Sequence, residues 1–421
     1  MSRHIQNFEE LARTGERRDV LACLEAAYDA IDTEKVILKS VHLEDGVLTI
    51  LGTSWQLNEY EHVYIIGFGK VACKAASVLE NVLGERVKDG AVVGSAEYSC
   101  AVISTYKGTH PLPSQANFLA SAHIGRIGET LTARDLVLVV VGGGGSAMLC
   151  GSEEEKEQGA RLYNSFLGSG GTIDELNVVR RHISPLKGGG LVQMLHPAEV
   201  IGLIFSDVVG GHPSTVASGP TYYDETTAAD AQRIINTYQL GSYKLIETPK
   251  ERSYFEKVTN LLLVSNETAV VAMATKAREL GYATIIPPCN PYATPEELVR
   301  CLMGAATPHS IVCVGGEPRL AVPEGTVGHG GRATATALSA LSFLQEQHTF
   351  VGSASDGHDN GEHAGAIVDT ASFKKLHEEK IDIAAHLVAC DSASALTRSK
   401  DVLMTGTVEA NVSDVFLLLT K

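Results

Sequence analysis

A repeated pattern of strand, then loop, then helix limits the folds open to this chain. Short apolar runs, many rich in Val and Ile, recur at 63–67, 101–105, 136–141, 200–205, 261–264, 284–286, 311–314, 350–352 and 415–419. Helical periodicity fills stretches between them, as at 71–83 and 268–280. This alternation predicts an α/β fold with a doubly wound, mostly parallel sheet. Several runs finish in glycine-rich or polar loops: GFGK, VGGGGS, FSDVVGG, VGGEP and SASDGHDNG. Ligands of open α/β sheets bind at the carboxyl ends of strands, where loops and helix N-termini converge. Residues 8–31 carry a helical stripe of Leu11, Val20, Leu21, Leu24, Ala27 and Ile31. The pattern lapses over 243–255, which places a domain boundary near 250. The expectation is a larger N-terminal α/β domain of 1–250 and a smaller α/β domain of 251–421.

The 421 residues are 44% hydrophobic, enough for a packed core, which excludes a disordered chain. The net charge of −16 disfavours nucleic acid as a partner. A small anionic substrate would need cations gathered locally. Eight cysteines, Cys23, Cys73, Cys100, Cys150, Cys289, Cys301, Cys313 and Cys390, form no CxxC pair and read as reduced thiols. The N-terminus has no apolar core of a signal peptide. The run 136–141 falls far short of the ~20 residues a membrane span needs. A soluble cytoplasmic protein without membrane contact is expected.

Each motif has two readings. Gly142, Gly143, Gly144, Gly145 and Ser146 follow a buried run; successive glycine amides can cradle an anion, or simply turn tightly. No Lys-Ser/Thr follows, so this is not a Walker A loop. Gly67-Phe68-Gly69-Lys70 puts a lysine in the first turn of a helix, where the dipole disfavours it unless an anion binds; the alternative is an exposed lysine. The segment 177–190, NVVRRHISPLKGGG, inverts the local charge with Arg180, Arg181, His182 and Lys187. It offers Asn177 and Arg180 for substrate, and Lys187 with Gly188 for phosphate, or it is a basic loop paired with Asp174 and Glu175. Ser206 and Asp207, Glu317, and Asp356 with Asp359 stand at strand ends. Asp207, Glu317 and Asp356 could supply oxygens to Mg²⁺ beside a phosphate, or be turn residues. Gly330-Gly331-Arg332 could deliver an arginine to a transferring phosphoryl group, or be a turn. His110, before Pro111, could bond a substrate hydroxyl or carboxylate, or fix a turn. Without a G-x-G-x-x-G and its acidic partner, a nicotinamide site is disfavoured. Phosphoryl transfer from a nucleotide to a small acid is the leading chemistry.

GFGKVA, THPLP through GGGGSAM, NVVRRHISPLKGG, SDVVGGHPSTVASGPT, GGEP, GHGGR and the terminal TGT…NVSD resemble, in order, the class II glycerate 2-kinases, the MOFRL family, some long labelled hydroxypyruvate reductases. The resemblance implies two α/β domains with the active site in the cleft between them. It implies ATP-dependent phosphorylation of D-glycerate on its 2-hydroxyl, with Mg²⁺, and puts the family's lysine on Lys70 and its arginine on Arg332. Its partners would be a nucleotide and a small hydroxy acid, with a homodimer as the assembly to test. The family reads Gly-Gly-Arg-Asn-Gln-Glu where this chain has Ala333, Thr334 and Ala335 after Arg332. Gly211 and His212 replace two acids after the SDV motif, and Glu409-Ala410-Asn411 replaces Gly-Thr-Asn. Against the kinase stand a relic that binds a nucleotide or phosphorylated metabolite, and a hydroxypyruvate reductase.

Overall fold

The computed structural model describes residues 3–166, 168–322, 325–326 and 328–421. Two compact units emerge, and the cut is not a single one near 250. Thr33–Leu263 form one unit; the residues before Thr33 join Val264–Lys421 in the other. The cause is visible in the N-terminal helix Gly15–Ile31, which packs on helix Asn266–Glu279. Its Arg17, 1% exposed, reaches Asp369 at 2.6 Å, Asp401 at 2.9 Å and the Ser372 hydroxyl at 2.9 Å. The expected helix over 8–31 is broken: Phe8–Leu11 ends early, and Thr14 caps the longer helix by accepting from the Arg17 amide.

The Thr33–Leu263 unit holds a small antiparallel sheet of β1 (Val41–Glu44), β2 (Val47–Ile50) and β3 (Thr53–Gln56). Its main sheet contains β4 (His62–Phe68), β5 (Val87–Gly94), β6 (Ser104–Lys107), β7 (Asp135–Val141), β8 (Glu199–Phe205) and β9 (Val258–Val264). They lie in the order β6-β5-β4-β7-β8-β9, parallel from β6 through β8. Every residue of β7 is buried, as an unbroken apolar run predicts for a strand covered on both faces. The chain runs outward from β4 to β6, then returns to place β7 on the other side of β4. The order thus reverses between β4 and β7, where open α/β sheets hold their ligands. The apolar run at 101–105 enters the sheet late, as β6.

The other unit contains β10 (Ala283–Ile285), β11 (Ser310–Gly316), β12 (His348–Ala354), β13 (Gly365–Val368), β14 (Val402–Leu403) and β15 (Asp414–Thr420). Their order is β10-β11-β15-β12-β13-β14. Here β10 and β11 are parallel and the remaining pairs antiparallel. The mostly parallel sheet expected in the larger domain is that of the Thr33–Leu263 unit, and the second unit is α/β as well. All of β12 and β15 is buried, so these antiparallel strands do not alternate between apolar and polar residues. The expectation of reduced cysteines also needs correction: Cys289 and Cys301, 6.0 Å apart at Cα, form a disulfide. The pair joins a loop to helix Pro295–Ala305, a proximity that twelve residues of sequence spacing do not reveal. Among the described residues no helix is long and apolar enough to cross a membrane.

Candidate active site

The switch point is built by close backbone contact. Gly69, at φ +115°, leaves no room for a Cβ against the Gly142 carbonyl, and Gly67 faces Val140 equally closely. Both glycines serve the packing of β4 on β7. The Lys70 amide donates to the Gly143 carbonyl at 2.9 Å, and the Gly142 amide to the Phe68 carbonyl at 3.0 Å. Lys70 lies just before helix Ala72–Leu83, not in its first turn as expected, because Val71 is the cap. Gly144, at φ +76°, brings two candidates together: a Cβ there would stand 3.4 Å from His110 Cδ2 and 3.7 Å from Lys70 Cγ. A Cβ on Gly143 would collide with the Asp207 carboxylate. Lys70, His110 and Asp207 thus converge on one glycine loop.

Hydrogen bonding narrows the expected anion cradle. The amides of Gly69, Gly142, Gly145 and Gly188 already donate to Val93, Phe68, Gly142 and Ser218 carbonyls. Among the described residues, those of Gly143, Gly144 and Ser146 meet no acceptor. Successive backbone amides without acceptors can cradle an anion. The Ser146 hydroxyl lies 3.0 Å from that of Ser218, which donates to Asn177 Oδ1 at 3.0 Å. This chain of bonds ties the loop to helix Ile173–His182.

The basic segment divides by partner. Lys187 is buried and filled: it meets Glu155 at 2.5 Å, the Leu149 carbonyl at 3.0 Å and Ser184 Oγ at 3.2 Å. That assigns the expected phosphate-binding lysine to the core, and Gly188 with it. Arg181 meets Asp224 at 3.0 Å. The partners are distant acids rather than Asp174 or Glu175, because Glu175 closes the capping box with Thr172. Arg180 has no carboxylate within ion-pair distance among the described residues, and burial pulls its pKa below the ordinary value. Ser206 bonds its own turn, accepting from the Val208 amide at 3.3 Å.

The second unit carries its own cleft of about 890 Å³ at the end of its sheet. Register places Gly316 of β11 and Ala354 of β12 beside Asp414 of β15, so the residues following β11 and β12 line it. Glu317, Arg319, Arg332, Asp356, Asp359 and Asp414 face this space. Arg332 opens helix Arg332–Ala340 and is held by two acids: Nε to Asp414 at 3.0 Å and Nη1 to Glu317 at 2.7 Å. Burial pushes the Asp414 carboxyl up to about 7 against the pull of Arg332, and Asp359 and Glu317 add to the rise. Asp359 accepts from the amides of Gly331, Ala333 and Thr334 and from the Thr334 hydroxyl, at 2.6 to 3.1 Å. It caps that helix. Sequence reasoning passed over Asp414 in the terminal NVSD stretch, where a charge entering a wholly buried strand was the available signal. Glu317 and Asp356 meet at this cleft, while Asp207 belongs to the glycine loop of the other unit. Among the described residues no three His, Cys, Asp or Glu side chains gather as a metal cage.

A parallel sheet whose switch point places a glycine loop beside a lysine defines an open α/β protein with a candidate anion site. Comparison with known proteins gives the family. The model of a domain of unknown function (DUF4147) matches residues 19–247, and that of the MOFRL family matches 310–414. Glycerate 2-kinase of Pyrococcus horikoshii is 30% identical over 93% of this chain and 94% of its own. D-glycerate 2-kinase of Thermotoga maritima is 30% identical over 91% and 96%. A crystal structure of glycerate kinase from Thermotoga maritima superposes with a TM-score of 0.80 at 26% identity, covering 96% of this chain and 99% of that one. The chain belongs to the class II glycerate kinase family, whose hallmark is the MOFRL domain.

Proposed function

We propose that this chain transfers the γ-phosphoryl group of ATP to the 2-hydroxyl of D-glycerate, with magnesium as counter-ion. The carrying observation is the glycine loop at the switch point, where acceptorless amides stand beside Lys70. Phosphoryl transfer asks the protein mainly for positioning and for charge stabilisation, and amides with a lysine supply both. Arg332, held on two sides, is the second cation proposed for the transferring group. Arg180, desolvated and without a carboxylate partner, suits the carboxylate of the acid. His110, Asn177 and Ser206 line up as supports: His110 beside the loop, Asn177 through Ser218, and Ser206 through the turn that carries Asp207.

Magnesium takes one or two carboxylates together with substrate phosphates. Asp207 on the phosphate loop and Asp356 with Glu317 at the cleft are the oxygens proposed for it. When bound, the ion would screen charge on the triphosphate.

The relic reading rests on the lost Asn-Gln-Glu after Arg332. Ala333, Thr334 and Ala335 are all buried, and Thr334 bonds Asp359 and Ser392. The cleft lining includes Gly330, Gly331 and Arg332 and stops there. The replaced positions pack the helix, so their change leaves the cleft wall intact. Purified protein with ATP, Mg²⁺ and D-glycerate should release ADP and yield a product that enolase dehydrates directly. The proposal fails if no ADP appears across a panel of small hydroxy acids. ADP release with a product that needs a mutase before enolase would move the reaction to another hydroxyl.

A further inference from the structure

The guanidinium of Arg332 is held unequally. Its Nε partner, Asp414, has a side chain 4% exposed; its Nη1 partner, Glu317, is 39% exposed. Among the described residues Nη2 bonds nothing, while Arg332 itself lines the cleft. Asp414 is in turn fixed. It opens β15, a strand flanked on both sides by β11 and β12. The Asn266 side chain donates to the carbonyls of Val412 at 2.7 Å and Asp414 at 3.1 Å. Gly315 makes this possible, since a Cβ there would occupy the same space as the Asn266 amide. Ser355 Oγ accepts from the Val412 amide at 2.8 Å. The turn that delivers Asp414 is therefore bonded from two other segments of the unit, at Asn266 and at Ser355.

We propose that Asp414 is the positioning residue for Arg332: it anchors Nε so that the opposite edge of the guanidinium is presented to the transferring phosphoryl group. The inference rests on the kinase reading of Arg332. Among the described residues Arg332 is the cation within ion-pair distance of Asp414, and the bond from Nε to this buried, fixed side chain holds the guanidinium in place. Glu317 stands in water and is the partner an arriving phosphate displaces. One salt bridge is thus permanent and the other exchangeable. The planar fork of arginine permits this, because two of its edges bond independently.

The test is a double-mutant cycle of wild type, Asp414→Asn, Arg332→Lys and the double variant. It reads kcat, the KM for ATP and D-glycerate, and calorimetric affinity for a non-hydrolysable ATP analogue. Asp414→Asn in the wild-type background should lower kcat by roughly tenfold to a hundredfold, the cost of a misplaced group, with the glycerate KM changed less than about twofold. On Arg332→Lys the same change should cost under about threefold, since the fork it positions is already gone. Equal losses in both backgrounds, or no loss in the first, overturn the proposal. Should Asp414→Asn lower the unfolding midpoint sharply, Asp414→Glu carries the cycle instead. It keeps the charge one methylene out of place, so kcat must still fall, and fall through Arg332. If wild type turns over no hydroxy acid, the glycerate reading fails. The four analogue affinities then decide the coupling, and additivity in them sinks it.

Discussion

Both units lead a helix with glycines, and the two entrances do opposite things. In the parallel unit, Gly142–Ser146 enters a short helix, and among the described residues the amides of Gly143, Gly144 and Ser146 meet no acceptor. In the antiparallel unit, Gly330-Gly331 enters helix Arg332–Ala340, and Asp359 fills its end with four hydrogen bonds. The helix dipole draws negative charge to both ends. At the Asp359 entrance the protein supplies that charge; at the glycine loop the proposed phosphate would supply it. A glycine cluster therefore marks a place of close backbone approach, and what fills the amides decides whether it is a site.

The largest expected effect tests whether a lysine near glycines suffices. Lys187, which precedes the run 188–190, pairs with Glu155 in the core. Lys187→Ala leaves that carboxylate buried alone and should cost about 3–5 kcal/mol of stability in urea unfolding. A stable variant with weakened ATP affinity would break the comparison. Lys70→Ala should do the reverse, lowering kcat by about 10²–10³-fold with an unchanged unfolding midpoint. Asp359→Ala empties the capped entrance and should cost about 2 kcal/mol, measured by denaturation. If it instead leaves stability intact, the cap is ornamental and the contrast weakens. Gly144→Ala, at a left-handed φ, should cost about 1–2 kcal/mol and raise the KM for ATP.

The smallest effect concerns pH. Asp391 accepts from the His329 amide and from Ser394 near the capped entrance. Burial pushes its carboxyl upward, but these hydrogen bonds and the nearby histidines outweigh it, so its pKa lies below the usual aspartate value. A lowered carboxyl contributes stability that is present above the usual value and lost as pH falls through the lowered one. The protection of amides 329–334, measured against their intrinsic exchange rate, should therefore fall from pH 5 to pH 3. Protection at 142–146, which Asp391 does not touch, should stay level over the same range.

Much of the parallel sheet was legible because β4, β7 and β8 are uninterrupted apolar runs ending in glycine or acid. The antiparallel character of the second sheet was not, since β12 and β15 are buried on both faces and lose the alternation that marks such strands. Lys70, His110 and Gly144 were each visible in the sequence, and their convergence follows from the strand order. Lys187 misled because it lies in a turn and its partner Glu155 stands 32 residues earlier on helix Glu153–Phe166, a distance periodicity does not span. The N-terminal helix was legible as a helix, but not its attachment, which depends on Arg17 meeting Asp369 and Asp401 far along the chain.

That attachment has a consequence for synthesis. The polypeptide leaves the antiparallel unit at residue 32, builds Thr33–Leu263 entirely, and returns. A nascent chain halted before residue 414 would carry every strand of the parallel sheet through β8. Yet β11 and β12 would face an empty lane where β15 belongs, exposing apolar edges to any neighbour. The antiparallel unit must wait for its middle, and the helix made first must wait longest for its partners.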